Sequence, residues 1–157
     1  MEAIRHAAIG LALLLSIASS ADAQALDKKV LSFAAAEKIA AAAADAARAR
    51  GVGVVIAVVD DGGHLMLLHR LDDTQVASVN VGIGKARTAA IYRRPSREFE
   101  EQIRAGRIAA LALADSTPLQ GGVPIRLDGK VIGAIGVSGD TPQVDEAIAI
   151  AGANAFK

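Results

Sequence analysis

Apolar positions along the chain change period several times, and each change marks an element. From Phe33 the sequence reads FAAAEKIAAAAADAARAR to Arg50, an alanine-dominated stretch that Glu37, Lys38, Asp45, Arg48 and Arg50 interrupt at helical intervals. Ser32 is placed to cap this helix and Gly51 to end it, so a small apolar face is expected against a sheet with the charges in water. The run VVIAVVD, Val54 to Asp60, is β-branched on both parities, which predicts a strand covered on both faces. Asp61-Gly62-Gly63 then turns the chain into HLMLLHR, His64 to Arg70, and the two runs make a hairpin. Helical character returns from Thr74 to about Tyr92, with Ala77, Ala86, Ala89 and Ala90 as its small residues, until Pro95-Ser96 punctuates it.

A further helix is expected from after Ser96 to Ala105, stopped by Gly106. Ile108 to Ala114 is apolar enough for either a helix or buried extended chain, and the pattern leaves both open. Val123 to Leu127 and Lys130 to Val137 flank Asp128-Gly129, a pair suited to the positive φ angles of a type I′ turn. Gly133 and Gly136 inside the second of these strands predict a bulge or the close approach of another backbone. Thr141 as cap, Pro142 in the first helical position and Asp145-Glu146 in the early turns start a last helix. The order is helix, two strands, helices, two or three strands, helix. Hairpins dominate, so the class is α+β with a largely antiparallel sheet rather than a doubly wound nucleotide fold.

The first residues belong to another pattern. Arg5 and His6 precede an apolar run from Ala7 to Ile17, followed by small polar residues and Ala21-Asp22-Ala23. That three-part form predicts a secretory signal peptide over 1–23, cleaved before Gln24, and a single domain over 24–157. The apolar run is shorter than the roughly 20 residues that cross a bilayer, so no membrane attachment is expected after cleavage, and the product is expected in the periplasm or outside the cell.

Composition narrows the chemistry. The 157 residues carry 17 basic and 17 acidic side chains, which removes the broad electrostatic argument for a nucleic-acid partner. No cysteine is present, excluding disulfides, thiolate zinc sites and cysteine-ligated iron–sulfur clusters. With one Tyr, three Phe and no Trp, the core must be built from Ala, Val, Ile and Leu.

Four phrases coincide in order: VVDDGGHLMLLHRLDD at Val58 to Asp73, GKARTAA at Gly84 to Ala90, GGVPIRLDGKVIGAIGVSG at Gly121 to Gly139, and Asp145-Glu146. Together they resemble the GlcG/HbpS family, the haem-degrading domain family related to the C-terminal domain of PduO-type proteins. The resemblance covers nearly all of 24–157. It implies a profilin-like fold with a five-stranded antiparallel sheet flanked by helices, frequent homo-oligomers, and haem as a cofactor in some members.

Haem directs attention to a short set of side chains. His64 and His69 are the only histidines after the signal; five apart on one strand, they would point to opposite faces. Either could ligate iron alone or across two subunits, and His64 is favoured because it follows Gly62-Gly63, where backbone can approach a flat ligand. Tyr92 could ligate as phenolate, with Arg93 and Arg94 beside it for propionates, against the plainer reading of an amphipathic helix end. Met66, flanked by leucines, reads as core. Lys85 and Arg87 could offer charge to an anionic ligand, and Thr117, Gly121 and Gly122 could line a pocket beside the sheet, although turning and close packing account for the glycines equally well. Glu98 and Glu101, on neighbouring helical turns, could between them hold a cation such as iron, a second metal candidate apart from His64, but Arg97, Arg104 and Arg107 lie near enough to make a salt-bridged surface instead.

Neither glycine-rich phrase has P-loop or dinucleotide spacing, and no GxSxG elbow occurs; Ser138, His64 and Asp60 make a triad only on paper. Three functions follow as expectations. The first is an exported haem or tetrapyrrole binder that sequesters or senses the cofactor in an oligomer. The second is a non-catalytic accessory or sensor subunit acting through protein contacts. The third, an enzyme on a small organic acid or on haem, rests on the resemblance alone.

Overall fold

Ser32 Oγ accepts the N–H of Ala35 at 3.2 Å and so caps α1 (Phe33–Arg48), which Gly51 terminates at a φ of +66°. The computed structural model describes residues 27–156, so the expected signal peptide over 1–23 lies outside the described residues. After α1 come β1 (Val55–Asp60), β2 (Leu65–Arg70), α2 (Ser78–Ile91), α3 (Arg97–Arg104), a 3-10 turn (Ile108–Ala112), β3 (Gly122–Leu127), β4 (Lys130–Ser138) and α4 (Pro142–Asn154). Among the described residues no helix is long and apolar enough to cross a membrane.

The sheet runs β2-β1-β4-β3 with every neighbouring pair antiparallel, as the hairpins require. It has four strands among the described residues, which corrects the expected five. The ambiguous segment accounts for the difference. Ile108–Ala112 has only one β-branched residue, and its backbone is satisfied locally, Ile108 N–H on Gly106 O and Ala110 N–H on Arg107 O, so it closes on itself instead of joining the sheet.

β1 is covered on both faces, and Val55 to Val59 are fully buried. Ile56 and Val58 pack with Ile135 and Val137 against the alanine face of α1 and against Ile148 and Ala149 of α4. Ala57, Val59 and Ala134 meet Ala86, Ala89 and Ala90 of α2 on the other side. Small residues set this second spacing. A Cβ on Gly136 would overlap the Gly82 carbonyl and the Ala86 amide, so α2 lies with its backbone almost on β4. The Asp128-Gly129 hairpin has positive φ at both residues, 50° and 75°, as a type I′ turn needs.

Two register breaks decide where side chains point. Between β3 and β4, Ile125 pairs with Gly133 and Arg126 with Val131, a bulge beside the glycine that predicted one. Between β1 and β2, Val58 pairs with Leu67 and Val59 with Leu65, leaving Met66 as the extra residue. Met66 and Leu67 consequently both pack against the α1 side of the core. The odd separation of His64 and His69 therefore no longer places them on opposite faces, because alternation does not carry across a bulge.

Candidate functional site

The turn joining β1 to β2 is a tightly specified polar feature of the surface. Asp60 ends β1, and its Oδ1 accepts the His64 backbone N–H at 2.9 Å while its Oδ2 lies 3.2 Å from His64 Nδ1. The main chain closes the same turn, Asp60 N–H on His64 O at 3.0 Å and Gly63 N–H on Asp60 O at 3.1 Å. Gly63 adopts a φ of +81°, open to glycine, and Arg87 Nε on α2 donates to its carbonyl at 3.2 Å. Lys28 and Asp61 add an ion pair at 2.7 Å. Partial burial pushes the Asp60 carboxyl up, but the bonds from His64 N–H and ring, the His64 charge and the Gly62 N–H outweigh it and hold Asp60 below the usual carboxylate value. The His64 side chain is 80% exposed, and no hydrogen bond reaches its Nε2 among the described residues. Leu65, 48% exposed, follows directly, and Ile91 on α2 touches the Gly63 position.

His64 and Arg87 are thus brought together through Gly63, as neighbours of one surface. His69 lies apart, half-buried on β2 opposite Ile56. The triad drawn from Ser138, His64 and Asp60 does not form: Asp60 pairs with Gly133 at one end of β4, whereas Ser138 pairs with Val55 at the other. Five residues of strand separate the ends by about 17 Å, and the Ser138 hydroxyl instead donates to Ser78 Oγ at 3.3 Å.

Lys85 has a different fate from the one expected for a ligand-facing cation. It is 3% exposed, and Nζ donates to Asp145 Oδ2 at 2.7 Å and to Val137 O at 3.0 Å. Gly121 and Gly122 close over it: a Cβ on Gly121 would lie 2.7 Å from Val137 O and 2.9 Å from Lys85 Nζ, and one on Gly122 would overlap the Lys85 carbonyl. These glycines accordingly face a buried ion pair instead of a hollow. Burial raises the Asp145 carboxyl above its ordinary value, against the opposing pull of Lys85 and of the Asp140 and Gly139 amides. Asp145 was visible in the sequence as a residue of an early helical turn and as part of the last family phrase, but not as an ion-pair partner; the signal for its partner is a lone lysine amid the small residues of GIGKARTAA.

Thr117 packs on Gly84, and its N–H bonds Thr88 Oγ1 at 2.7 Å, so it ties the 113–121 loop to α2. Tyr92 donates its hydroxyl to Ala114 O at 2.7 Å and meets the Phe99 ring edge-on with centroids 5.1 Å apart. Arg94 stacks over that same ring at 4.3 Å. Tyr92 is therefore engaged in holding the loop. Glu98 faces Arg94 at 3.9 Å and Glu101 faces Arg97 at 3.7 Å, a salt-bridged surface, and among the described residues no three metal-ligating side chains converge.

A hollow of about 480 Å³ lies at the end of α1 among Arg48, Gly53, Arg70 and Asp72, and one of about 200 Å³ lies between β3 and α4. Neither is lined by any of the residues predicted to bind a cofactor. A macrocycle ligated by His64 would rest on an open surface instead. The donor set fits haem at that point: an imidazole with a carboxylate behind it, an arginine beside it, and apolar Leu65 and Ile91 for contact.

Comparison with known proteins bears on the family and the fold. The model of the family described as "Haem degrading protein HbpS-like" matches residues 31–154. Protein GlcG of Escherichia coli strain K12 is 44% identical over 111 residues, covering 71% of this chain and 83% of GlcG. The crystal structure of HbpS superposes with a TM-score of 0.79 at 30% identity, covering 87% of this chain and 96% of that one. The crystal structure of a PduOC:Heme complex superposes with a TM-score of 0.74 at 26% identity, over 81% and 95% of the two chains.

Proposed function

The chain belongs to the HbpS-like family, and from that premise we propose that it is an exported haem-binding protein that sequesters or senses the cofactor between copies of itself. The observation that carries the reading is His64, whose Nε2 is open on a fixed, exposed turn while its Nδ1 is engaged by Asp60. A haem-bound relative of the same fold supports tetrapyrrole as the ligand class.

In this reading His64 would hold the iron through Nε2, Arg87 would pair with a propionate, and Leu65 and Ile91 would contact the macrocycle. Haem supplies an iron centre that binds small ligands or changes oxidation state; the residues of this chain bind and orient it. On so open a surface one chain would cover only one side of a flat ligand. Homo-oligomerisation completes the enclosure, and the exposed Ile108 and Leu111 of the 3-10 turn offer further contact area for a second copy or a partner. Export follows from the signal-like pattern over 1–23 and places the protein in the periplasm or outside the cell.

Titrating the purified protein with haemin tests the reading. A saturable shift of the Soret band is expected, accompanied in light scattering by a larger assembly than the haem-free chain. A protein that leaves the haemin spectrum unchanged overturns it. Mass spectrometry of the exported product checks the address, with Gln24 expected as the first residue.

A further inference from the structure

We infer that Asp60 is a positioning residue for His64: it holds the ring proton on Nδ1 and so makes Nε2 the lone pair available for ligation. The last step rests on the haem reading above, whereas the proton's position does not.

A neutral imidazole has one N–H and one acceptor nitrogen, and the hydrogen bond made by either nitrogen decides which is which. An ionised carboxylate only accepts. Asp60 Oδ2, 3.2 Å from Nδ1, therefore selects the Nδ1–H form, and Oδ1 cannot swing away without giving up the His64 backbone N–H at 2.9 Å. Both oxygens of one carboxylate thus grip one residue, through its main chain and through its ring.

The surrounding turn leaves little freedom for a different arrangement. A Cβ on Gly62 would come within 2.9 Å of the imidazole, so the ring lies folded back over this glycine. Gly63, bound by Arg87 and held at positive φ, fixes the next peptide. Imidazoles that ligate metals commonly carry a carboxylate on the far nitrogen, which orients the ring and raises its basicity, and losing that partner typically weakens binding by about 10- to 100-fold. Here the same pair is assembled from residues four apart in sequence, across a single turn.

Nitrogen-15 NMR of the haem-free full chain, at a pH where the imidazole is neutral, reads the tautomer directly. Wild type is expected to show the proton on Nδ1; a proton on Nε2 overturns the inference without any variant. Asp60→Asn keeps an oxygen for the backbone N–H but turns an amide donor toward Nδ1, so the proton is expected to move to Nε2 and haemin affinity to fall by about 10- to 100-fold. Equal affinity of Asp60→Asn and wild type overturns the positioning role. If wild type shows Nδ1–H yet leaves the haemin spectrum unchanged, the haem reading falls and the tautomer assignment stands.

Discussion

Asp145 with Lys85 and Asp60 with His64 are both carboxylate–base pairs, yet they sit at opposite extremes of solvent access. Lys85 is 3% exposed, anchored to Asp145 and the Val137 carbonyl, and sealed by Gly121 and Gly122. The His64 ring is held by one nitrogen only, with an 80% exposed side chain. A residue whose polar contacts lie within the fold cannot meet a ligand without breaking the fold first. One that is held firmly and still has an open lone pair can. This contrast separates side chains that looked alike as candidates: Lys85 belongs to the buried ion pair, and His64 is the one that the proposed haem reading uses.

The largest effect should come from breaking the buried pair. Lys85→Met leaves Asp145 without its partner and is expected to cost about 3–5 kcal/mol in urea unfolding, while Lys85→Met with Asp145→Leu should recover most of that loss because two apolar groups need no pairing. A double variant as unstable as the single one would mean that the pair does more than satisfy itself. Gly121→Ala comes next. Its φ of +126° and the crowding at Val137 O and Lys85 predict a loss of about 1–3 kcal/mol in the same assay.

The acid response of Asp145 is a smaller effect with a definite sign. Because burial raises its carboxyl in the folded chain, the folded state holds that proton more tightly than the unfolded one. The resulting stability is complete below the ordinary value of 3.8 and is lost as pH rises through the raised folded value. Asp145→Asn carries no such proton, so the stability of wild type relative to this variant should decline across that window; urea midpoints measured over a pH series check the slope. The smallest changes belong to the surface: Glu98→Ala and Glu101→Ala are each expected to shift stability by no more than about 0.5 kcal/mol, since each only faces an exposed arginine.

Much of the architecture was legible because its causes are local. Ser32 and Thr141 cap their helices with side-chain bonds to Ala35 and Val144, and Asp128-Gly129 makes its turn from its own two residues. Val55 to Val59 announced a doubly covered strand by carrying β-branched residues on both parities. The fifth strand failed because 108–112 satisfies its own backbone, a choice the apolar composition does not reveal. The parity of His64 and His69 failed at Met66, since a bulge depends on how β2 meets β1 and not on the sequence of β2 alone.

The site was less legible than the fold. The partner of Lys85 lies sixty residues away, beyond any spacing argument, and Thr117 reaches α2 through a loop whose path the pattern left open. Asp60 and His64 were near enough in sequence to be seen together, but only as members of a triad with Ser138 drawn on paper. Sheet register removes Ser138 and leaves the carboxylate and imidazole as a pair.

Haemin titration of His64→Ala beside wild type, with a thermal melt of each, tests the division between a binding turn and a structural core most directly. The account predicts that His64→Ala melts within a few degrees of wild type, as a side chain this exposed should, and that it loses the Soret shift. A His64→Ala protein that still shifts the Soret band as wild type does would contradict it.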